Sequence, residues 1–428
     1  LKSPPHSWAA GRFDLYRAGK PRGTRVPTLT RYLCEATHAG LFETIVHALI
    51  STGTSPDEAV RIVIHGVRAM GGEGKTVLLT RLAWDPRVLG RYPSEAGADG
   101  QRTGGVVWID VGRDVDSAWA LLSQLKDALA IQVRDDKADV DDQAKEVAAY
   151  LRGLDGGQLL IFLDNVWSRE YSLDVVNEFL ALLPVGTRVV LSTREAEVVE
   201  DLEGVGYDLS ELTTAEALAM LRQQCPAIEL GDNVGGRLAE EACCCHLLAL
   251  ASVGALLRRL CKPGGCTPED VLTALKTKQK DVLQVKAKRA GGWTAKEASV
   301  RACLAYSYDA LEKADEKRMA RALASFPAEK VVPLGALQRA CEHADRNRTK
   351  MIVAELLSKS IVSGLEDGHL VSVHGLMHEV LLALQTQGEG ETGATGSIGG
   401  ESKSSPARPP RRPTHSLRLR GRCPSARC

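Results

Sequence analysis

Hydrophobic and polar residues follow two alternating patterns from residue 57 to about residue 210. Short, nearly continuous apolar runs alternate with longer segments in which apolar residues recur every three or four positions. The apolar runs are RIVIH (61–65), GVVWIDV (105–111), QLLIFLD (158–164) and TRVVLST (187–193). Apolar strands that alternate with helices are typical of a parallel sheet covered on both faces. The pattern therefore predicts an α/β fold.

After residue 210 the pattern changes to that of helices. Residues 235–260, which include three consecutive cysteines, have the spacing of one long helix, and the segment 360–384 predicts a β-hairpin around Glu366-Asp367-Gly368 followed by a helix. The predicted domains are a lead-in and linker with one helix (1–56), an α/β domain (57–210), a helical domain (211–294), a further mostly helical domain (295–385) and a low-complexity tail expected to be disordered (386–428).

The amino-acid composition disfavours some classes of binding partner. The 54 basic residues balance the 54 acidic ones, so nucleic acid and anionic membrane surfaces are not favoured as partners. No apolar run reaches the roughly 18 residues of a membrane span, and the first residues lack the apolar core of a signal peptide. The 11 cysteines have no zinc-binding spacing. We expect a cytoplasmic protein with reduced thiols and no membrane association.

A glycine-rich segment follows the first predicted strand. Gly71, Gly72 and Gly74 precede Lys75 and Thr76 at the head of a helix. This is the context of a phosphate-binding loop, in which backbone amides surround the phosphates, the lysine reaches the outer phosphates and the hydroxyl binds Mg²⁺. Ala69 occupies the position of the motif's first glycine. The candidate nucleotide-binding residues are Met70, Gly71, Gly72, Glu73, Gly74, Lys75, Thr76 and Val77.

Polar residues also end two of the other apolar runs. Asp164 ends the third run, where a carboxylate can hold Mg²⁺ together with Thr76, and Asn165 follows it. Asn165 occupies a position where an aspartate could activate water, but an amide cannot act as a base at neutral pH. Arg194 follows the fourth run and can contact a terminal phosphate. The alternative interpretations are that the glycine-rich turn binds nothing, that Asp164 caps a helix and that Arg194 is a surface residue.

Five sequence blocks in order resemble the NB-ARC family of STAND signal-transduction ATPases, which includes plant disease-resistance proteins. They are AMGGEGKTVL (69–78), LLIFLDNVW (159–167), GTRVVLSTRE (186–195), CCCHLLALASVGALLR (243–258) and VSVHGLMHEV (371–380). The resemblance implies a P-loop NTPase sheet followed by a helical domain and a winged-helix domain. It also implies a switch that binds ADP or ATP with Mg²⁺, and catalytic roles for Lys75, Asp164, Asn165 and Arg194.

The same resemblance assigns two residues outside the α/β domain. Leu247 takes the place of the family's adenine-contacting proline, and His374 would contact the ADP phosphates and lock the closed state. His378 follows His374 by four residues, but no third metal ligand is evident. Gly375 and Val373 depart from the family pattern beside His374, which predicts a weaker lock. Asn165 predicts slow hydrolysis.

The switch interpretation has three competitors. They are a nucleotide-free scaffold with a degenerate site, a winged-helix DNA-binding regulator and a metabolic P-loop kinase. Residues 301–380 carry no dense basic stripe, which disfavours DNA binding, and the long helical C-terminal half disfavours the kinase. For the switch, the resemblance implies protein partners reached through sensor or effector regions, homo-oligomers in the ATP state and a role in defence or cell death.

Overall fold

A computed structural model describes most of the chain. The described residues are 20–23, 38–51, 63–68, 71–96, 100–112, 115–135, 139–167, 172–286, 294–328, 330–342, 345–364 and 370–392. The chain divides into two compact units, Leu1–Gln385 and Thr386–Cys428. In the second unit the structure describes only the last residues of a helix that ends at Thr392. Among the described helices, none combines the length and apolar character that a bilayer crossing requires.

A five-stranded parallel sheet forms the first half of the first unit. Its strands are β1 (Val63–Arg68), β2 (Gly105–Asp110), β3 (Leu159–Val166), β4 (Arg188–Thr193) and β5 (Val205–Asp208), in the order β2-β3-β4-β1-β5. All neighbouring strands are parallel. Strand β5 was not predicted because it is a four-residue edge strand, largely exposed, and therefore lacks an apolar run.

The end of β1 differs from the sequence prediction. The apolar run suggested a strand ending at His65, but β1 continues to Arg68. It is a central strand paired with both β4 and β5, and Val67 is fully buried. Extra residues before the glycines are therefore accommodated by a longer strand. Ala69 and Met70 lie outside the described residues.

Helices cover both faces of this sheet, as the sequence predicts. They are α1 (Ala39–Ile50), α2 (Lys75–Ala83), α3 (Pro86–Arg91), α4 (Ala118–Ala128), α5 (Val140–Arg152), α6 (Ser172–Ala181) and α7 (Ala196–Asp201). Trp108 and Phe162 stack at 5.8 Å within the core shared with α1, α2 and α3. Ile109 and Ile161 point to the opposite core, shared with α4 to α7. Alternate strand residues thus supply two separate cores.

Helix α1 is tied to the first residue of β4. The Arg188 guanidinium donates to the carbonyls of Leu49 at 2.8 Å and Ser51 at 2.7 Å, and also to that of Ala48. A cation at a helix C-terminus satisfies carbonyls that have no partner within the helix. Phe42 and Ile45 pack into the same core as α2. Helix α1 is therefore part of the α/β structure.

A helical region follows the sheet. Its elements are α8 (Thr214–Gln224), α9 (Asp232–Arg237), a π-helix (Leu238–Ala242), α10 (Leu247–Leu260) and α11 (Pro268–Lys286). Thr213 and Glu216 form a capping box at the start of α8. The prediction of one helix over 235–260 is wrong, because Cys244 and Cys245 have left-handed φ angles of 50° and 53°. His246 then caps a new helix.

The third region combines helices with a small antiparallel sheet. Its elements are α12 (Ala295–Asp309), α13 (Ala314–Leu323), β6 (Val332–Pro333), α14 (Leu334–Ala340), α15 (Arg346–Ser358), β7 (Ser363–Gly364), β8 (Leu370–Ser372) and α16 (Gly375–Thr392). The sheet order is β6-β8-β7. Strands β7 and β8 form the predicted hairpin pair, and its turn, 365–369, lies outside the described residues.

Two predicted domain boundaries, at residues 294 and 385, concern this third region. Residues of the helical and third regions share one hydrophobic cluster, in which Leu250, Leu272 and Leu304 are fully buried. The division at residue 294 and the winged-helix assignment remain predictions. Helix α16 continues past residue 385, where the sequence suggested disorder, because a helix whose first turns are packed gains one hydrogen bond for each further residue. Residues 393–428 lie outside the described part.

Candidate nucleotide site

The glycine-rich segment turns sharply between β1 and α2. Gly72 and Gly74 have φ angles of 85° and 93°, which side chains other than glycine's rarely tolerate. Lys75 begins α2 and is only 9% exposed, whereas Thr76 is exposed. Consecutive amides in such a turn, next to a helix N-terminus, form a concave anion-binding surface. The glycines and α2 therefore form a cradle suited to phosphate groups.

Asp164 connects this loop to the ends of the strands. Its Oδ1 accepts hydrogen bonds from the Thr76 hydroxyl at 3.1 Å and from the Ser192 hydroxyl at 2.5 Å. The carboxylate is 9% exposed. The structure thus brings together the two residues predicted to hold Mg²⁺, although they lie 88 positions apart. Hydroxyl and carboxylate oxygens are the ligands that Mg²⁺ prefers, so this donor set fits the ion.

Asn165 lies at an irregularity in β3. The register between β3 and β4 shifts between Leu163 and Val166, and Asn165 has a left-handed φ of 66°. Its backbone amide donates to the Ser192 hydroxyl at 2.8 Å. Asparagine tolerates this conformation better than most residues. The asparagine therefore has a backbone role in addition to the altered chemistry of its side chain.

Arg194 lies against the loop. Its guanidinium carbon is 4.7 Å from the ring centre of Trp167. A Cβ placed on Gly71 would be 2.7 Å from the same carbon, so the guanidinium packs directly on Gly71. Stacking on an indole holds an arginine side chain in place.

The helical region contacts the opposite side of the loop through His246. Its Nε2 is 2.8 Å from the carbonyl oxygen of Gly71, and its Nδ1 accepts the amide hydrogen of Ala249. Because a backbone amide can only donate, Nδ1 is the unprotonated nitrogen and Nε2 donates to Gly71. Burial lowers the pKa of His246, although nearby Glu73 and the Gly71 carbonyl act in the opposite direction. The imidazole is therefore neutral at physiological pH.

Leu247 also contacts the loop. A Cβ placed on Gly74 would be 3.1 Å from its Cδ1. The structure thus brings Leu247 next to the residue that precedes Lys75, on the side of the loop that faces α10.

A chain of charges reaches the loop from the third region. Glu73 is 5% exposed, and its Oε1 is 2.9 Å from Nζ of Lys296, which lies in the first turn of α12. The same Nζ is 2.7 Å from Oε1 of Glu211. Burial lowers the pKa of Lys296, but its hydrogen bonds with Glu211 and Glu73 outweigh burial and the pKa is raised. The lysine is therefore charged and bridges the two carboxylates.

A cavity of about 250 Å³ lies between the strand ends and the third region. Asp110 of β2 lies in register with Asp164 of β3, and Lys330 pairs with Asp110 at 3.2 Å. The cavity is lined by Asp110, Gly112, Asn165, Trp167, Arg194, Pro327, Ala328, Lys330, Gly375, His378, Glu379 and Leu382. It places polar groups of both regions around one space.

The two histidines of the third region have different surroundings. His374 Nδ1 accepts the amide hydrogen of Leu376 at the start of α16. His378 lines the cavity, and its Nε2 is 2.7 Å from the carbonyl oxygen of Phe326. His374 is not among the cavity-lining residues, so its predicted phosphate contact remains a prediction.

Sequence reasoning overlooked several residues around the loop. Ser192 had a usable signal, because it is a polar residue near the end of an otherwise apolar strand. The sequence around His246 and Lys296 gave no such signal, since their contacts with the loop join segments more than 170 residues apart. Met70 lies outside the described residues.

Comparison with known proteins identifies the α/β part. Residues 42–229 match the profile of the NB-ARC domain. This part of the chain is therefore similar to an NB-ARC domain. No curated protein matches the chain.

Two of the solved structures that match the chain are distant from it in sequence. A STAND protein with a tetratricopeptide repeat sensor from Pyrococcus horikoshii is 15% identical, with a TM-score of 0.47, and the match covers 87% of this chain. The ORC2 protein of Aeropyrum pernix is 14% identical over 86% of this chain and 100% of that one, with a TM-score of 0.32. The chain spans only 45% of the STAND protein's length.

Proposed function

We propose that this protein is an ADP- and ATP-binding molecular switch of the NB-ARC type. The observation that carries the proposal is that side chains from three regions converge on one glycine-rich loop. Arg194 comes from the strand ends, His246 from the helical region, and Lys296 from the third region through Glu73. A ligand bound at a loop with these contacts can link its own state to the arrangement of the regions.

The loop residues would bind the nucleotide through its phosphates. The backbone amides from Met70 to Val77 would donate to the phosphate oxygens, and Lys75 and Arg194 would contact the outer phosphates. Thr76 and Asp164 would hold Mg²⁺, which would neutralise phosphate charge. Their 3.1 Å contact supports this assignment.

Hydrolysis in this proposal is slow and resets the switch. Asn165 cannot remove a proton from water at neutral pH, and its backbone is committed to the left-handed conformation beside Ser192. The protein would therefore be only a weak Mg²⁺-dependent ATPase. Domain opening, homo-oligomer assembly in the ATP state and a role in defence or cell death are parts of the proposal that rest on the family resemblance.

The third region is proposed to be a winged helix that closes over the site. Helices α13 to α15 with the β6-β8-β7 sheet support this assignment. In the closed state, His374 or the cavity-lining His378 would lie on the phosphate side. The ion pair between Lys330 and Asp110 supports direct contact of this region with the strand ends.

The first test is to identify the nucleotide released when the purified protein is denatured. We expect stoichiometric ADP or ATP from the wild type and much less from Lys75→Ala, because loss of a charged donor weakens binding by about 1.5–3 kcal/mol. Arg81→Ala on the same helix is the control, since the Arg81 guanidinium lies over the ring of Phe42. A wild type without nucleotide, and unable to take up Mg²⁺-ATP, would instead support a nucleotide-free scaffold.

A further inference from the structure

Two residues near the loop are locally unfavourable choices. Glu73 places a negative charge two positions before Lys75, beside a loop proposed to bind phosphates. Lys296 places a positive charge in the first turn of α12, where the helix dipole favours anions. Residues that violate local rules in this way tend to be found at functional sites.

Glu73 and Lys296 belong to different regions of the protein, so each neutralises the charge of the other only while these regions are in contact. Their 2.9 Å ion pair joins the loop to α12, and Glu73 is almost fully buried. The start of α12 is fixed by a capping box. The Thr294 amide donates to the Glu297 carboxylate at 2.7 Å, and the Glu297 amide donates to the Thr294 hydroxyl at 3.1 Å. Lys296 is therefore held at the loop by a rigid helix start, and it would leave the loop if α12 moved away.

We propose that Glu73 and Lys296 form a charge couple through which the third region sets the nucleotide affinity of the loop. This inference rests on the proposed function and adds a regulatory contact to it. While α12 lies on the loop, Lys296 neutralises Glu73 and the phosphates meet little repulsion. When α12 leaves, the uncompensated carboxylate repels them. Coupling is reciprocal, so bound ADP equally favours the position of α12 on the loop.

The couple can be measured with a double-mutant cycle. The probe is N-methylanthraniloyl-ADP with Mg²⁺, titrated against the full chain. Lys296→Met, which keeps the aliphatic stem, should weaken binding roughly 5- to 20-fold, within the range of coupled sites. In a Glu73→Gln background the same substitution should change affinity by less than about twofold, because the charge it compensated is gone.

Controls separate charge from packing. Lys296→Arg keeps the positive charge and should bind the probe nearly as tightly as the wild type. Glu211→Gln should leave the affinity unchanged, since Glu211 contacts Lys296 on its other side. Glu73→Gln alone should bind the probe at least as tightly as the wild type. This variant also provides the test if Lys296→Met does not fold, as judged by circular dichroism.

The outcomes discriminate between the two proposals. If wild type binds the probe and Lys296→Met weakens binding equally with and without Glu73, the lysine acts on the phosphates alone and the couple is overturned. Weaker binding by Glu73→Gln would overturn it as well. Failure of the wild type to bind any nucleotide would overturn the proposed function and this inference with it.

Discussion

The two sides of the glycine-rich loop are built in different ways. On the strand side, Thr76, Asp164 and Ser192 form a hydrogen-bonded group at the ends of parallel strands. On the helix side, His246 and Lys296 reach the loop from segments that follow the sheet. The strand side is formed by residues of the α/β region alone, whereas the helix side exists only while separate regions are in contact.

The comparison distinguishes residues suited to binding chemistry from residues suited to regulation. Residues at the ends of core strands keep their positions when outer regions move, so they suit metal and phosphate binding. Contacts made by later regions can be lost without unfolding the sheet, so they suit regulation. Substitutions on the two sides should therefore have different consequences.

The largest expected effect is that of His246→Ala on stability. The substitution removes the cap of α10 and leaves the buried Gly71 carbonyl without its donor. Loss of a cap costs about 1 kcal/mol and an unsatisfied buried acceptor about 1–3 kcal/mol, so the free energy of unfolding should fall by about 2–4 kcal/mol. Urea denaturation measures this change. A loss below about 0.5 kcal/mol would mean that the helix side does not hold the loop.

Asp164→Asn should act on metal dependence more than on stability. The amide keeps the shape of the carboxylate but loses its charge, so Mg²⁺ should no longer strengthen ATP binding. We expect a decrease of about 10-fold in Mg²⁺-ATP affinity, equivalent to about 1.4 kcal/mol. Binding of ADP in EDTA should change little. Equal losses with and without Mg²⁺ would contradict a metal role on the strand side.

Acid should destabilise the protein through His246. Because its pKa is lowered in the folded state, the unfolded chain takes up a proton first as the pH falls below the ordinary value of 6.5. Stability from this residue is therefore complete above that pH and decreases below it. The groups that face the imidazole are Glu73, Lys296 and Lys75.

Urea denaturation at about pH 7.5 and about pH 5.5 tests this expectation. The loss of stability at the lower pH should be smaller in His246→Ser, which can still cap α10 but does not titrate. An identical pH dependence in both proteins would assign it to other groups.

The smallest expected effect is that of Leu247→Pro. Leu247 is the first residue of α10, a position that proline favours, and His246 before it has φ −85° and ψ 124°, which a following proline accepts. The free energy of unfolding should stay within about 1 kcal/mol of the wild type. Thermal denaturation provides the measurement, with Leu250→Pro inside the same helix as the destabilised control.

Features that depend on the residues of a single segment could be predicted from the sequence. Apolar runs predicted four of the five strands, and the spacing of the glycines with Lys75 and Thr76 predicted the loop. Asp164 was recognisable because it ends a buried strand. These signals are local, and the parallel topology brings the strand ends together without further information.

Other features could not be predicted because they depend on distant partners. The end of β1 is set by pairing with β4 and β5, and the break at Cys244 by the capping of a new helix at His246. Glu73 was predicted only as a nucleotide-binding residue of the loop, because its ion pair with Lys296 joins it to a segment far away in the sequence. The roles of all these residues in binding remain predictions.

The attachment of α1 to β4 has a consequence for the shortest fragment that can fold alone. The apolar pattern begins the α/β domain at residue 57, but a fragment cut there would lack α1. Arg188 would lose its three carbonyl acceptors, and the core face that receives Phe42 and Ile45 would be open to water. The autonomous folding unit therefore begins before Ala39, ahead of the boundary that hydrophobicity alone suggests.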